Sequence, residues 1–380
     1  MKILVLGGCG NMGKAMVRNL MDQVEVSEII VADIDSRKGE NYVQSLGSKK
    51  VAFKQVDIRD HQGLVKILKG NSVVLNSTWI ELYMPIFLAA LEAKVHYVDL
   101  GGLFHGTKKQ LQYHEDFKKA GVTAILCMGA SPGITNIAAA EGAKRFDEID
   151  EIRVRTGAKG GKGFPYTPRT ILDECMVKPM VFKDGKHMEL EPLTGWEKYN
   201  LPEPVGEVEG FYSIHSEVLT FPTYIGKGVK NVTFKVAFSS SLVGMLKVLK
   251  ELEFLSNTPI QVNGIEISPR EFLDTHLGSL PVQESIDEHK SFRVELIGKR
   301  NGKRAHWAYE TVVGSNRQWG IKATAIWTGV PAAIAGLMLA KGEIQHTGVF
   351  PPESILDSSR FITELEKRGI SIKGREILDA

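Results

Sequence analysis

Cysteine is scarce: the 380-residue chain carries Cys9, Cys127 and Cys175 and no others. An odd number at such wide spacing excludes a disulfide framework and fits a reducing compartment, so the expected location is the cytoplasm. A surplus of either charge is also missing. Lys and Arg number 47 against 45 Asp and Glu, a net charge of +2, which gives no reason to expect nucleic acid or a membrane surface as partner. No apolar run reads as long enough to span a bilayer. The N-terminal apolar run stops after six residues and gives way to glycines, so it reads as a structural strand and not as a signal peptide. Internal repeats and low-complexity stretches are absent. What remains is a globular composition, 43% hydrophobic and 24% charged, on a chain too long for one compact core.

The most informative stretch is ILVLGGCGNMG at 3–13. An apolar strand runs into Gly8-x-Gly10-x-x-Gly13, a helix is predicted over 11–21, and a second strand over 29–32 ends on Asp33. That context fits a Rossmann dinucleotide site. Gly8 is expected to allow the tight turn, Gly10 to let backbone N–H groups approach the pyrophosphate, and Gly13 to let helix and strand pack closely. The helix N-terminus, with Cys9, Asn11 and Met12 around it, supplies positive dipole to the phosphates. Cys9 reads as a small residue in a turn without a redox role. A carboxylate accepts hydrogen bonds from ribose hydroxyls and repels a 2′-phosphate, so Asp33 points to NAD, while Arg37 and Lys38 keep NADP open.

Strands and helices alternate through the first third, with predicted strands at 51–56, 72–75, 96–100 and 122–127. The expected fold class is α/β, with an N-terminal Rossmann domain built on a doubly wound parallel sheet. Ligands of such sheets bind beyond the carboxyl ends of the strands. Those ends supply Asp57 and Ile58, with Asp57 placed to meet the adenine amino group, Ser77 and Thr78 on the cofactor path, and Asp99, Gly101 and Pro132. Tyr83, in the helix predicted over 82–93, is a candidate substrate contact. From about residue 151 the pattern becomes period two, and Asn301-Gly302 between two alternating runs signals a hairpin. A second α+β domain with a mainly antiparallel sheet is therefore expected. The expected domains are 1–126 for the dinucleotide, 127–320 for substrate and dimer contacts, and 321–380 as a helix and tail packing between the two. The expected assembly is a homodimer, and the partner a small amino-acid substrate.

Charge is segregated in the second domain. Residues 153–186 hold eight basic residues against three acidic ones, and 189–217 are acidic. Lys159 and Lys162 on a glycine-rich loop read as solvated. Arg169, at a predicted helix start after Thr167-Pro168, reads as a carboxylate clamp. His215, at a strand end beside Ser216, can move protons near neutrality. Lys235 alternates with Phe234 and Val236, and would act as an acid, base or carboxylate ligand if its sheet face is the cleft. No metal site is expected.

With these residues in view the chain resembles the saccharopine dehydrogenase family, including its lysine 6-dehydrogenase members, over both domains. The resemblance rests on the fingerprint, HYVDLGG at 96–102, ASPGITN at 130–136, the segment 207–216, and GVFPPE at 348–353. It implies that Pro132-Gly133 closes the nicotinamide end, that the second domain supplies the amino-acid site, and that NAD(P) takes hydride from a CH–NH carbon to leave an imine that is hydrolysed. Two residues depart from the family pattern. Ser131 stands where glutamate-forming saccharopine reductases carry aspartate, and Lys235 stands where lysine 6-dehydrogenases have an arginine followed shortly by Gly-His. The expected substrate is saccharopine or a related secondary amine, with His215 and Lys235 as acid/base candidates and Arg169, Ser216 and Tyr83 as substrate contacts. The alternatives are a lysine 6-dehydrogenase, opine- or polyamine-like relatives, and, from another class, a dinucleotide-binding sensor without turnover.

Overall fold

The computed structural model describes residues 1–160, 164, 167–280 and 287–378. Its first sheet has seven strands, all parallel. Their order across the sheet is Gly348–Phe350, Thr123–Ile125, His96–Asp99, Val73–Asn76, Lys2–Leu6, Glu28–Asp33 and Val51–Gln55. The N-terminal strand lies inside the sheet because the chain adds strands on both sides of it. That reversal opens a crevice at the carboxyl ends of Lys2–Leu6 and Val73–Asn76, where Gly7 to Gly13 and Ser77 meet. Six of the seven strands follow the sequence rhythm; the seventh returns from the C-terminal region and pairs with Thr123–Ile125.

The second sheet is mixed. The long hairpin Glu288–Arg300 and Lys303–Gly314 turns through Asn301 and Gly302, both at positive φ, which is the primed-turn conformation their sequence signals. Glu148–Gly160 pairs antiparallel with that hairpin and parallel with Asn231–Val236. The strands Gly206–Tyr212 and Glu197–Leu201 extend one side, and Ile372–Glu376 closes the other. The run at 260–267 forms a separate two-stranded hairpin off this sheet.

The helix Ala323–Ala340 lies between the sheets. It corrects the expectation that no segment is long enough to span a bilayer: it has 18 residues and a mean hydropathy of 1.6, the length and composition of a membrane span. Here that apolar surface is consumed inside the protein, since 89% of the helix is buried. Small residues let it approach closely, with Gly329 against Met12 and Ala15 of the helix Asn11–Met21, and Gly336 against Leu75. One continuous apolar core runs from the first sheet through this helix to Phe292 and Leu296 of the second. The domain junction is thereby fixed by packing, and the cavity lies along it.

Candidate active site

The dinucleotide end is built from backbone. Gly7 carries the positive φ (69°) of the turn, and a side chain there would meet the Ser77 carbonyl at 2.9 Å. Gly8 keeps ordinary φ and is limited by Val5 O and Val31, so the turn falls one residue earlier than the sequence reading placed it. A Cβ at Gly13 would lie 2.5 Å from Gly7 O and 2.6 Å from Gly8 Cα, which explains the third glycine by contact alone. The first helical N–H groups at Asn11 and Met12 therefore stand open over the strand end. Asp33 accepts from Ile34 N at 2.9 Å and Cys9 N at 3.3 Å, leaving lone pairs for ribose hydroxyls. Burial pushes the Cys9 thiol up to about 12, so it stays protonated and inert. A glycine cradle, a helix start and a strand-end carboxylate together fit a dinucleotide.

Other sequence candidates at this end have different roles. Asp57 is half-buried and clasped by Arg59 at 2.7–3.1 Å, which holds its carboxyl down at about 2; it and Ile58 lie outside the cavity described below. Asp99 is fully buried and spent on the protein itself. It accepts from Gly101 N, Cys127 N and Gln110 Nε2 at 2.7–3.0 Å, tying two strand-end loops together. Burial raises its carboxyl above the usual range, and those three donors pull against that. The Ser77 hydroxyl is bonded to Leu6 O and that of Thr78 to Asn76 Oδ1, yet both residues line the cavity.

That cavity, about 310 Å³, runs from Gly10, Asn11 and Met12 past Gly101 and Pro132 into the second domain. Tyr83 lines it, as does Ser131, whose buried hydroxyl has no hydrogen-bond partner and is therefore available to a ligand. Among the described residues, its carboxyl, imidazole and ammonium side chains beyond Gly101 and Pro132 are those of Glu174, His215 and Lys290. His215 is buried, stacked on Phe234 with ring centroids 3.5 Å apart, and its Nδ1 lies 3.0 Å from Glu217 Oε2. Glu217 is fully buried and held by Thr135 Oγ1 at 2.8 Å. A carboxylate on Nδ1 makes that nitrogen the donor and leaves Nε2 as the proton acceptor. This is a base with an orienting group behind it. Lys290, on Glu288–Arg300, is buried with its Nζ 4.0 Å from Glu288 Oε1; burial lowers its affinity for a proton, while Glu288 and Glu174 act the other way.

Three sequence candidates are directed elsewhere. Lys235 lies on the opposite sheet face from Phe234 and Val236, which line the cavity. Its Nζ is 2.5 Å from Glu197 and 4.6 Å from the Tyr212 ring centroid, so it belongs to a covered ion-pair cluster with Arg155 and not to the cleft. Arg169 bridges the domains through Glu81 at 2.7 Å and Asp274 at 3.5 Å, outside the cavity wall, instead of clamping a substrate carboxylate. Ser216 is buried and bonds to the Gly102 carbonyl and Thr107, fastening the second domain to the first. The basic and acidic stretches meet in ion pairs of Lys178 with Glu189 and Glu191, and of Arg155 with Glu197. Lys159 is exposed as expected, but it belongs to the strand Glu148–Gly160, opposite His289, and not to a loop; Lys162 lies outside the described residues. Lys290 and Glu174 escaped the sequence reading as site residues, and Ser131 entered it only as a departure from the family pattern. For Lys290 the available signal was the parity of a long hairpin strand, which does not say which face meets a cavity.

Comparison with known proteins agrees with this geometry. Residues 3–125 match the family model of the saccharopine dehydrogenase NADP binding domain, and residues 129–370 that of the saccharopine dehydrogenase C-terminal domain. The carboxyaminopropylagmatine dehydrogenase of Synechocystis is 25% identical, covering 97% of this chain and 96% of that protein. The carboxynorspermidine synthase of Vibrio cholerae is 28% identical, over 85% of this chain and 82% of that protein. Among solved structures, the glutamate-forming saccharopine dehydrogenase of Saccharomyces cerevisiae superposes with a TM-score of 0.77 at 16% identity, covering 99% of this chain and 100% of that one.

Proposed function

The chain belongs to the saccharopine dehydrogenase family of NAD(P)-dependent enzymes, and on that premise we propose that its substrate is a carboxylated polyamine-type secondary amine. The bond made or broken is the CH–NH link between an amino-acid carbon chain and an amine. The observation that carries this reading is the cavity wall itself. Among the described residues it presents one lysine, one glutamate, no arginine, and the aromatic rings of Trp79, Tyr83, Phe238 and Trp327. Saccharopine has three carboxylates and calls for several cations, but Arg169 and Lys235 are committed to other partners. A molecule that carries a carboxylate and further amines suits a wall that presents Lys290 and Glu174 among aromatic faces. The names of the Synechocystis and Vibrio relatives denote substrates or products of that kind, which supports the same choice over saccharopine or lysine. Asp33 supports NAD over NADP.

A nicotinamide bound at the Gly101 and Pro132 end supplies the hydride acceptor or donor. The chain's own residues handle protons. An alkyl amine has a pKa of roughly 10, so its nitrogen must lose a proton before the neighbouring carbon can give up hydride. His215 Nε2, oriented by Glu217, takes that proton. In the hydrolytic half the ring, having first passed that proton to solvent, accepts a proton from the water that attacks the imine carbon and gives it to the departing amine; the condensing direction runs the same transfers in reverse. The apolar walls from Phe234, Val236 and Trp327 limit water around these steps.

The test follows absorbance of the reduced cofactor with NAD and NADP against carboxynorspermidine, carboxyaminopropylagmatine, saccharopine and lysine. The proposal expects kcat/KM for a carboxylated polyamine to exceed that for saccharopine by at least about tenfold, or 1.4 kcal/mol. Saccharopine or lysine as the best substrate would overturn it.

A further inference from the structure

One buried acid lies behind the site without contacting the cavity. Glu353 follows Pro351-Pro352 at the end of the segment that adds the seventh strand to the first sheet. Its Oε2 accepts from Asn136 Nδ2 at 2.8 Å, while its Oε1 is buried without a partner. Asn136 Oδ1 in turn accepts from Gly133 N at 2.8 Å, in the turn beside Pro132. The preceding residue, Thr135, holds Glu217, and Glu217 holds His215. Two consecutive residues at one helix start therefore carry two buried carboxyl groups, one behind His215 and one behind Gly133.

We propose that Glu353 is a positioning residue: it works with its carboxyl protonated, fixing the Gly133 turn through Asn136 and leaving Glu217 as the single negative charge behind His215. This rests on the acid/base role given to His215 above. The Glu353 Oε1, buried and unpartnered, makes ionisation costly, and the buried Glu217 acid adds to that cost. Burial pushes the Glu353 carboxyl up to about 7, the Glu217 charge adds to this, and the hydrogen bond from Asn136 only partly offsets it. The other titratable groups that feel Glu353 are Tyr224 on the helix Glu217–Tyr224 and Cys127 at the strand end; burial first, then Glu353, keeps the Tyr224 phenol protonated, and burial, Asp99 and Glu353 do the same for the Cys127 thiol. Neither can neutralise it. Above about pH 7 Glu353 becomes a second buried charge, and the His215 dyad loses its working electrostatics.

Two readings test this in the full-length protein. Infrared difference spectra between wild type and Glu353→Gln, taken without substrate, should contain a protonated-carboxyl band at pH 6 that fades as pH rises through about 7. Because this arm needs no turnover, it reports on Glu353 even if the substrate assignment fails. In the kinetic arm, Glu353→Gln should match wild type within about threefold at pH 6 and fall less steeply than wild type above pH 7, whereas Glu353→Ala should lose about tenfold in kcat at both. In a His215→Gln background, Glu353→Gln should change nothing further, because the effect passes through His215. Absence of the carboxyl band, superimposable pH profiles for wild type and Glu353→Gln, or an equal additional loss in the His215→Gln background would each overturn the proposal.

Discussion

The two walls of the cavity are made differently. The dinucleotide wall is backbone, drawn from a few loops at the carboxyl ends of neighbouring parallel strands, with Gly7 to Gly13 alone forming the cradle. The substrate wall is side chain, with Glu174, His215 and Lys290 drawn from three segments spread over more than a hundred residues. A backbone cradle needs only an absence of side chains, and spacing states that directly. Side chains on a sheet serve or do not serve according to which face they take, and the face is decided by what covers the strand.

The largest expected effect falls on the side-chain wall. His215→Gln should lower kcat by about a hundred- to ten-thousandfold, with cofactor affinity unchanged in a fluorescence titration. Equal losses in both would erase the distinction between the walls. Next comes stability against pH for Glu353→Gln. The folded-state carboxyl lies above its ordinary value of 4.5, so its protonation adds stability that is complete below that value and lost as pH rises through about 7. Between pH 4 and pH 8 the variant should gain up to about 3 kcal/mol on wild type in urea denaturation. On the backbone wall, Gly13→Ala must displace Gly7 or Gly8 backbone, and should weaken cofactor binding by about 1–3 kcal/mol without changing the kcat of the saturated enzyme beyond about threefold. The smallest and sharpest contrast is between two lysines. Lys290→Met should raise KM for a carboxylated amine about tenfold. Lys235→Met should leave the kinetics within about twofold and lower thermal stability by a few degrees.

The same contrast explains what could be read from the sequence. The dinucleotide fold was legible because strand, glycine spacing and Asp33 are local, although the Gly7-Gly8 pair offered two registers for the turn and the earlier one is used. The hairpin at Asn301-Gly302 was legible for the same reason. His215 was visible as a residue type, but its partner Glu217 two positions on became meaningful only once Thr135 was beside it. Lys235 read as a cleft residue because alternation says that it faces away from Phe234 but not toward what. The strand Glu197–Leu201, which covers it, pairs through Gly206–Tyr212 and cannot be foreseen from the Lys235 neighbourhood. Gly348–Phe350 is three residues long and joins a sheet begun more than two hundred residues earlier, so nothing local marks it as part of the Rossmann domain.

The position of the reacting nitrogen is read from a crystal structure with cofactor and a carboxylated polyamine bound. That nitrogen should lie within roughly 2.6–3.2 Å of His215 Nε2, or one water away, with the carboxylate toward Lys290. A substrate seated against the Lys235 face, or a reacting nitrogen beyond reach of His215, would contradict that placement.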